Sequence, residues 1–84
     1  MPKVTIYTTQ FCPYCEMAKR LLTTKRVAFD DIDVGGKPAL RAEMEEKSGR
    51  YTVPQIWIGK THVGGCDDLH DLDRSGRLDP MLSG

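Results

Sequence analysis

The chain has 84 residues, with twelve Lys and Arg against twelve Asp and Glu and no net charge at pH 7. That length allows one domain, spanning residues 1–84, whose folding buries only about 60% of the surface the unfolded chain exposes. The balanced charge selects no polyanion and no apolar run approaches the roughly 20 residues that cross a bilayer, so neither nucleic acid nor membrane is expected as a partner. Three cysteines are odd in number and too few for a secreted disulfide framework, and "MPKVTIYTTQ" lacks the apolar core of a signal peptide. A reducing, cytoplasmic setting is expected.

In chain order, Val4 to Tyr7 form a short β-branched and aromatic run that suits a strand. From Pro13 to about Lys25 the apolar pairs Met17/Leu21 and Ala18/Leu22 recur four apart, with Glu16, Lys19 and Arg20 between them, which predicts a helix opened by proline. "VAFDDIDV", residues 27–34, returns to β character, and a helix between two such strands is long enough for a parallel crossover. Gly35 and Gly36 break the chain, and Pro38 then opens a second helix with Leu40 and Met44 inward and Gly49 as its cap. "QIWI" and "THV" flank the two-residue turn Gly59-Lys60 and predict an antiparallel hairpin. After Gly64-Gly65, a third helix begins near Cys66, with Asp67 and Asp68 in its first turn, Leu69 and Leu72 on one side and Gly76 past its end. The expected order is β-α-β-α-β-β-α, one α/β unit with a mixed four-stranded sheet and three flanking helices.

Cys12 and Cys15 stand where the first strand gives way to the first helix. Cys12 falls at the helix N-cap, where unpaired N–H groups and the positive end of the helix dipole favour a thiolate, the form that attacks a disulfide. Cys15 lies one turn on along the same face, near enough to attack a mixed disulfide on Cys12 and release the partner as a thiol. A C-x-x-C pair beside a βαβ pattern, without a secretion signal, reads as a thioredoxin-like redox centre with Cys12 as nucleophile and Cys15 as resolving thiol.

The chain resembles the glutaredoxins through "CPYC" (Cys12 to Cys15), "TVP" (Thr52 to Pro54) and "GGCDD" (Gly64 to Asp68), which occur in the family's order, and the resemblance runs over essentially the whole chain. It is closest to the small bacterial dithiol glutaredoxins. The resemblance implies a thioredoxin fold and a monomeric, glutathione-dependent disulfide oxidoreductase with no permanently bound cofactor and no metal. Its electron donor would be glutathione, and its substrates glutathionylated proteins and protein disulfides, with ribonucleotide reductase a candidate among them. It also implies a cis Pro54 and a glutathione site. There Val53 would offer its backbone to the extended tripeptide, Thr52 would help position it, and the helix start at Gly65 and Cys66 would take a carboxylate. Asp67 would pair with the γ-glutamyl ammonium, Arg41 would meet the glycyl carboxylate and Tyr14 would line the cleft. Many family members carry a lysine shortly before the first cysteine. Thr8, Thr9, Gln10 and Phe11 stand there instead, which leaves the helix terminus as the main support for a thiolate and makes Phe11 a residue that could alter substrate docking.

Other readings compete. The dithiol could be a reduced core pair. Cys12, Cys15, Cys66 and His70 formally supply a zinc ligand set, although zinc normally replaces a core that this chain can build itself. An iron–sulfur carrier is a further alternative, since some glutaredoxins hold a cluster between two subunits. Cys66 is expected to be a small buried residue, Trp57 a sheet-packing residue, and His62 and His70 surface residues.

Overall fold

The structure, a computed structural model, describes residues 2–83. Its elements are β1 (Val4–Thr8), α1 (Pro13–Thr24), β2 (Asp30–Asp33), α2 (Pro38–Ser48), β3 (Gln55–Ile58), β4 (Thr61–Gly64), α3 (Cys66–Arg74) and α4 (Leu78–Ser83). The sheet order is β2-β1-β3-β4. β1 pairs parallel with β2 and antiparallel with β3, and β3 pairs antiparallel with β4, so the mixed sheet follows the expected order.

Alternation along β1 divides the core. Val4 and Ile6 face one side, where they meet Ala18 and Leu22 of α1, Cys66 and Leu69 of α3 and Leu78 and Leu82 of α4. Tyr7 faces the other side, where it joins Val34 and Met44, with Leu40, Val53 and Trp57 packed against them. The helices thus cover both faces of a sheet whose central strand is the one leading to Cys12. Leu22 is fully buried. Leu22→Ala should cost about 2–5 kcal/mol of folding free energy in urea unfolding; a loss well below that range would mean that the α1 contact is dispensable.

Three details depart from the sequence reading. β2 starts at Asp30 rather than Val27: the Val27 N–H donates back to the Leu22 carbonyl at 3.4 Å, and Val27 to Phe29 form an irregular link before the pairing with β1 begins at Asp30. Val27 and Phe29 nonetheless pack on the larger core. Met17 is 46% exposed, so α1 turns Ala18 and Leu22 inward but leaves Met17 outside. A fourth helix follows Gly76, burying Leu78 and Leu82 four residues apart; its six residues are too few for a visible period, and Pro80 fits because it lies in the first turn.

β2 and β4 are the two edges of the sheet. β2 carries Asp30, Asp31 and Asp33 in four residues, with Asp30 bridged to Lys3 at 3.1 Å. The β3–β4 register slips between Ile56 and Trp57. Trp57 meets Tyr7 edge-on with ring centroids 5.3 Å apart, the packing role expected of it.

Candidate active site

Cys12 is the N-cap of α1, with extended backbone, and Pro13 occupies the first helical position. The Cys12 sulfur accepts the Cys15 N–H at 3.3 Å, satisfying one of the otherwise unpaired donors of the first turn. The two thiols sit in different surroundings, Cys12 partly exposed and Cys15 fully buried. Burial first, and then the hydrogen bond to the Cys12 sulfur, push the Cys15 thiol up to about 12; a backbone hydrogen bond from Thr9 and the charge of Lys19 oppose this. Two of the causes that raise the Cys15 pKa, the hydrogen bond to Cys12 and the charge on it when ionised, need a free Cys12 sulfur, and a mixed disulfide on Cys12 would remove both. With Cys12 in a mixed disulfide, the Cys15 thiol would be easier to ionise.

A cleft of about 210 Å³ is lined by Tyr14, Arg50, Thr52, Val53, Pro54, Gly65, Cys66, Asp67 and Asp68. It gathers residues from α1, from the loop before β3 and from the start of α3. The Val53–Pro54 peptide is cis. The loop is fixed from beneath by buried Gln55, whose Nε2 donates to the Thr52 carbonyl at 3.0 Å and to the Thr52 hydroxyl at 3.2 Å. The Gln55 carbonyl oxygen then accepts from His62 Nε2 at 2.8 Å. Burial, followed by the charge of Arg50, lowers the His62 pKa, which suits a neutral ring in that role.

On the far wall, Asp68 accepts the Gly65 N–H at 2.9 Å and pairs with Arg50 Nη1 at 2.9 Å. Those two partners, in that order, lower its pKa. Gly64, at φ +117°, makes this approach possible, because a Cβ there would overlap the Asp68 carboxylate. Asp67, beside it, is exposed.

The cleft thus brings together Tyr14, Thr52, Val53, Pro54, Gly65, Cys66 and Asp67, all named from the sequence, and adds Arg50 and Asp68. In the sequence Asp68 stands out as a helix-start acid and as the end of the "GGCDD" motif, without an assigned contact. Arg41 lies outside the cleft lining: its Nη2 donates to the Tyr51 carbonyl at 2.7 Å and its Nε lies 3.6 Å from Glu45. Arg50 left no signal in the sequence, since its partner is 18 residues away and neither belongs to a repeating pattern.

Cys66 is buried, as expected, and burial followed by the charges of Asp67 and Cys12 raises its pKa. His70 is more enclosed than a surface residue, with Nδ1 at 2.9 Å from the Cys66 carbonyl and 3.5 Å from the Cys66 sulfur. Among the described residues, no three His, Cys, Asp or Glu side chains converge as a metal set, so the cysteine–histidine quartet is not brought together.

The glutaredoxin family model matches residues 4–63. A glutaredoxin of Pseudomonas aeruginosa is 64% identical over 99% of both chains. Glutaredoxin 3 of Escherichia coli K12 is 54% identical over 98% of this chain and 99% of its own. Among solved structures, the glutaredoxin of Brucella melitensis is 56% identical with a TM-score of 0.87, covering 98% of this chain and 89% of that one. A buckwheat glutaredoxin–glutathione complex is 29% identical with a TM-score of 0.90, covering 98% of this chain and 77% of that one. The sheet order and flanking helices are those of the thioredoxin fold. With a matching family model and relatives of this identity along nearly its whole length, the chain belongs to the glutaredoxin family.

Proposed function

We propose that the protein is a glutathione-dependent thiol–disulfide oxidoreductase in which Cys12 is the nucleophile and Cys15 the resolving thiol. The observation that carries this reading is the pairing of a partly exposed sulfur at a helix N-terminus with a fully buried thiol one turn behind it. In the monothiol reaction the Cys12 thiolate attacks the glutathione sulfur of a mixed disulfide, the substrate leaves as a thiolate and takes a proton, and a second glutathione thiolate releases oxidised glutathione. In the dithiol reaction Cys15 loses its proton and attacks the Cys12 mixed disulfide, leaving a Cys12–Cys15 disulfide that two glutathione molecules reduce.

The cleft supports a glutathione site. Val53 presents backbone N–H and C=O to an extended peptide, the α3 start at Gly65 and Cys66 offers N–H groups to a carboxylate, and the exposed Asp67 suits the γ-glutamyl ammonium. Tyr14 and Thr52 line the same cleft. Arg41 does not line the cleft; one of its Nη2 N–H groups is held by the Tyr51 carbonyl, and its remaining guanidinium donors suit a glycyl carboxylate. Glutathionylated proteins and protein disulfides are the substrates, ribonucleotide reductase being one candidate. We read the protein as a monomer of the reducing cytoplasm, since three cysteines are odd in number and too few for a secreted disulfide framework and the family resemblance is to monomeric members.

The direct test is glutathione release from a glutathionylated peptide, coupled to glutathione reductase and NADPH. Turnover should depend on added glutathione, and its absence would end the proposal. Asp67→Ala should raise the KM for glutathione about tenfold, the worth of one charge-assisted contact, with little change in thermal midpoint. An unchanged dependence on glutathione concentration would remove Asp67 from the site.

A further inference from the structure

Cys12, which is not among the residues lining the Thr52–Pro54 cleft, lines a second, larger hollow. A groove of about 640 Å³ has Cys12 in its wall and is bounded by Phe11, Glu16, Lys19, Asp31 and Asp33. It shares no lining residue with the Thr52–Pro54 cleft. Anything seated in it lies against Cys12.

Phe11 is the unexpected member. Its φ is +58°, a left-handed conformation that bulky side chains rarely adopt and that Gly or Asn would hold at lower cost. Its side chain is 97% exposed, so folding recovers almost nothing from the ring. A strained backbone carrying a solvated phenyl group one residue before the nucleophile is hard to account for by stability, but it suits a contact completed by a bound partner.

The rim indicates the partner's chemistry. Lys19 Nζ lies 3.1 Å from both Glu16 and Asp31, so its charge is shared between two carboxylates. Asp33 accepts the Gly35 N–H at 2.8 Å and, among the described residues, has no ion-pair partner. Three carboxylates against one ammonium make the rim negative on a chain whose net charge is zero. An occupant with basic side chains matches it.

We infer that this groove docks the protein side of a disulfide substrate: a segment with a basic residue and an apolar residue flanking the attacked cysteine, the apolar side chain resting on Phe11. The inference rests on the oxidoreductase reading above. The Cys12 thiolate attacks the substrate disulfide and bonds to the sulfur of the docked segment, while the other substrate sulfur leaves and takes a proton. Cys15 then displaces the docked segment as a thiolate, so the substrate gains two electrons and Cys12–Cys15 becomes the disulfide that glutathione reduces.

The test uses two synthetic peptides, each with one internal disulfide and a leucine beside the attacked cysteine, differing only in flanking lysines or flanking glutamates. A mixed disulfide of glutathione and 2-mercaptoethanol reports the chemistry without a protein segment. The wild type should reduce the lysine peptide with a kcat/KM about tenfold above the glutamate peptide at low salt, and the ratio should shrink as salt is added. Glu16→Arg should cut the ratio about threefold. Phe11→Asn should lower kcat/KM for both peptides about tenfold and raise the thermal midpoint by about 4 °C, while turnover of the small mixed disulfide holds. Equal rates for the two peptides with normal turnover of the small substrate would overturn the inference alone, as would a ratio untouched by Glu16→Arg. No glutathione-dependent turnover of the small substrate would overturn the proposed function and the inference with it.

Discussion

In Cys12→Ser, deglutathionylation and protein-disulfide reduction should both fall by about 10³-fold or more, the scale of losing an enzyme's nucleophile. A serine hydroxyl does not form the thiolate that either reaction needs first. The fold should not suffer, because serine is among the preferred N-cap residues and its oxygen can accept the Cys15 N–H that the Cys12 sulfur accepts now. Loss of both activities at an unchanged or raised thermal midpoint is therefore the expected pair of results. Residual disulfide reduction above a tenth of the wild-type rate would show that Cys15 or Cys66 can begin the chemistry, and would remove Cys12 from its role.

Cys15→Ser should separate the two reactions. Reduction of a protein disulfide should drop about 10²-fold, because an intramolecular attacker held in place is replaced by glutathione from solution. Deglutathionylation should stay within about threefold of wild type, since a second glutathione can resolve Cys12. The buried site already supplies the Thr9 backbone hydrogen bond to a new hydroxyl, and Cys15→Ala provides the apolar alternative if the serine variant is unstable. Equal loss of both activities in a folded variant would show that the assigned roles are wrong.

The same thiol also makes a stability prediction. An ordinary cysteine titrates at 9.0, whereas burial and the Cys12 sulfur hold folded Cys15 up to about 12. The neutral thiol is the form that folding favours, so this stabilisation is complete below pH 9.0 and is lost as the pH rises toward 12. The thermal midpoint of the reduced protein should decline across that window. In Cys15→Ala or the oxidised protein this part of the decline should vanish, and an identical decline would assign it to other groups.

The sequence revealed those parts of the molecule that rest on local pattern. The Cys12–Pro13 helix start, the Gly49 cap at φ +70° and the Gln55–Gly64 hairpin each depend on residues within a few positions of one another, and each formed where expected. Features set by distant partners were not legible. Met17 and Ala18 carry similar apolar signals, yet only Ala18 meets the sheet. The Arg50–Asp68 pair joins the loop after α2 to the first turn of α3, which come together only in the folded chain, and Gln55 braces Thr52 through a hydrogen bond that no spacing rule anticipates. Arg41 followed the family pattern, while its present hydrogen bond to Tyr51 reflects the local course of the loop after α2.

The aspartates of β2 have a second consequence, concerning how the molecule meets its neighbours at high concentration. An exposed edge strand is a template on which another chain can add hydrogen bonds. Two copies meeting along β2 would bring Asp30, Asp31 and Asp33 against the same acids, a repulsion incurred before any backbone bond forms. The opposite edge is offset by the slip at Ile56/Trp57, which disturbs the regular ladder a newcomer would extend. A redox protein must meet partly opened substrates whose own strand edges are exposed, and a sheet with both borders protected in this way resists being recruited into their aggregates.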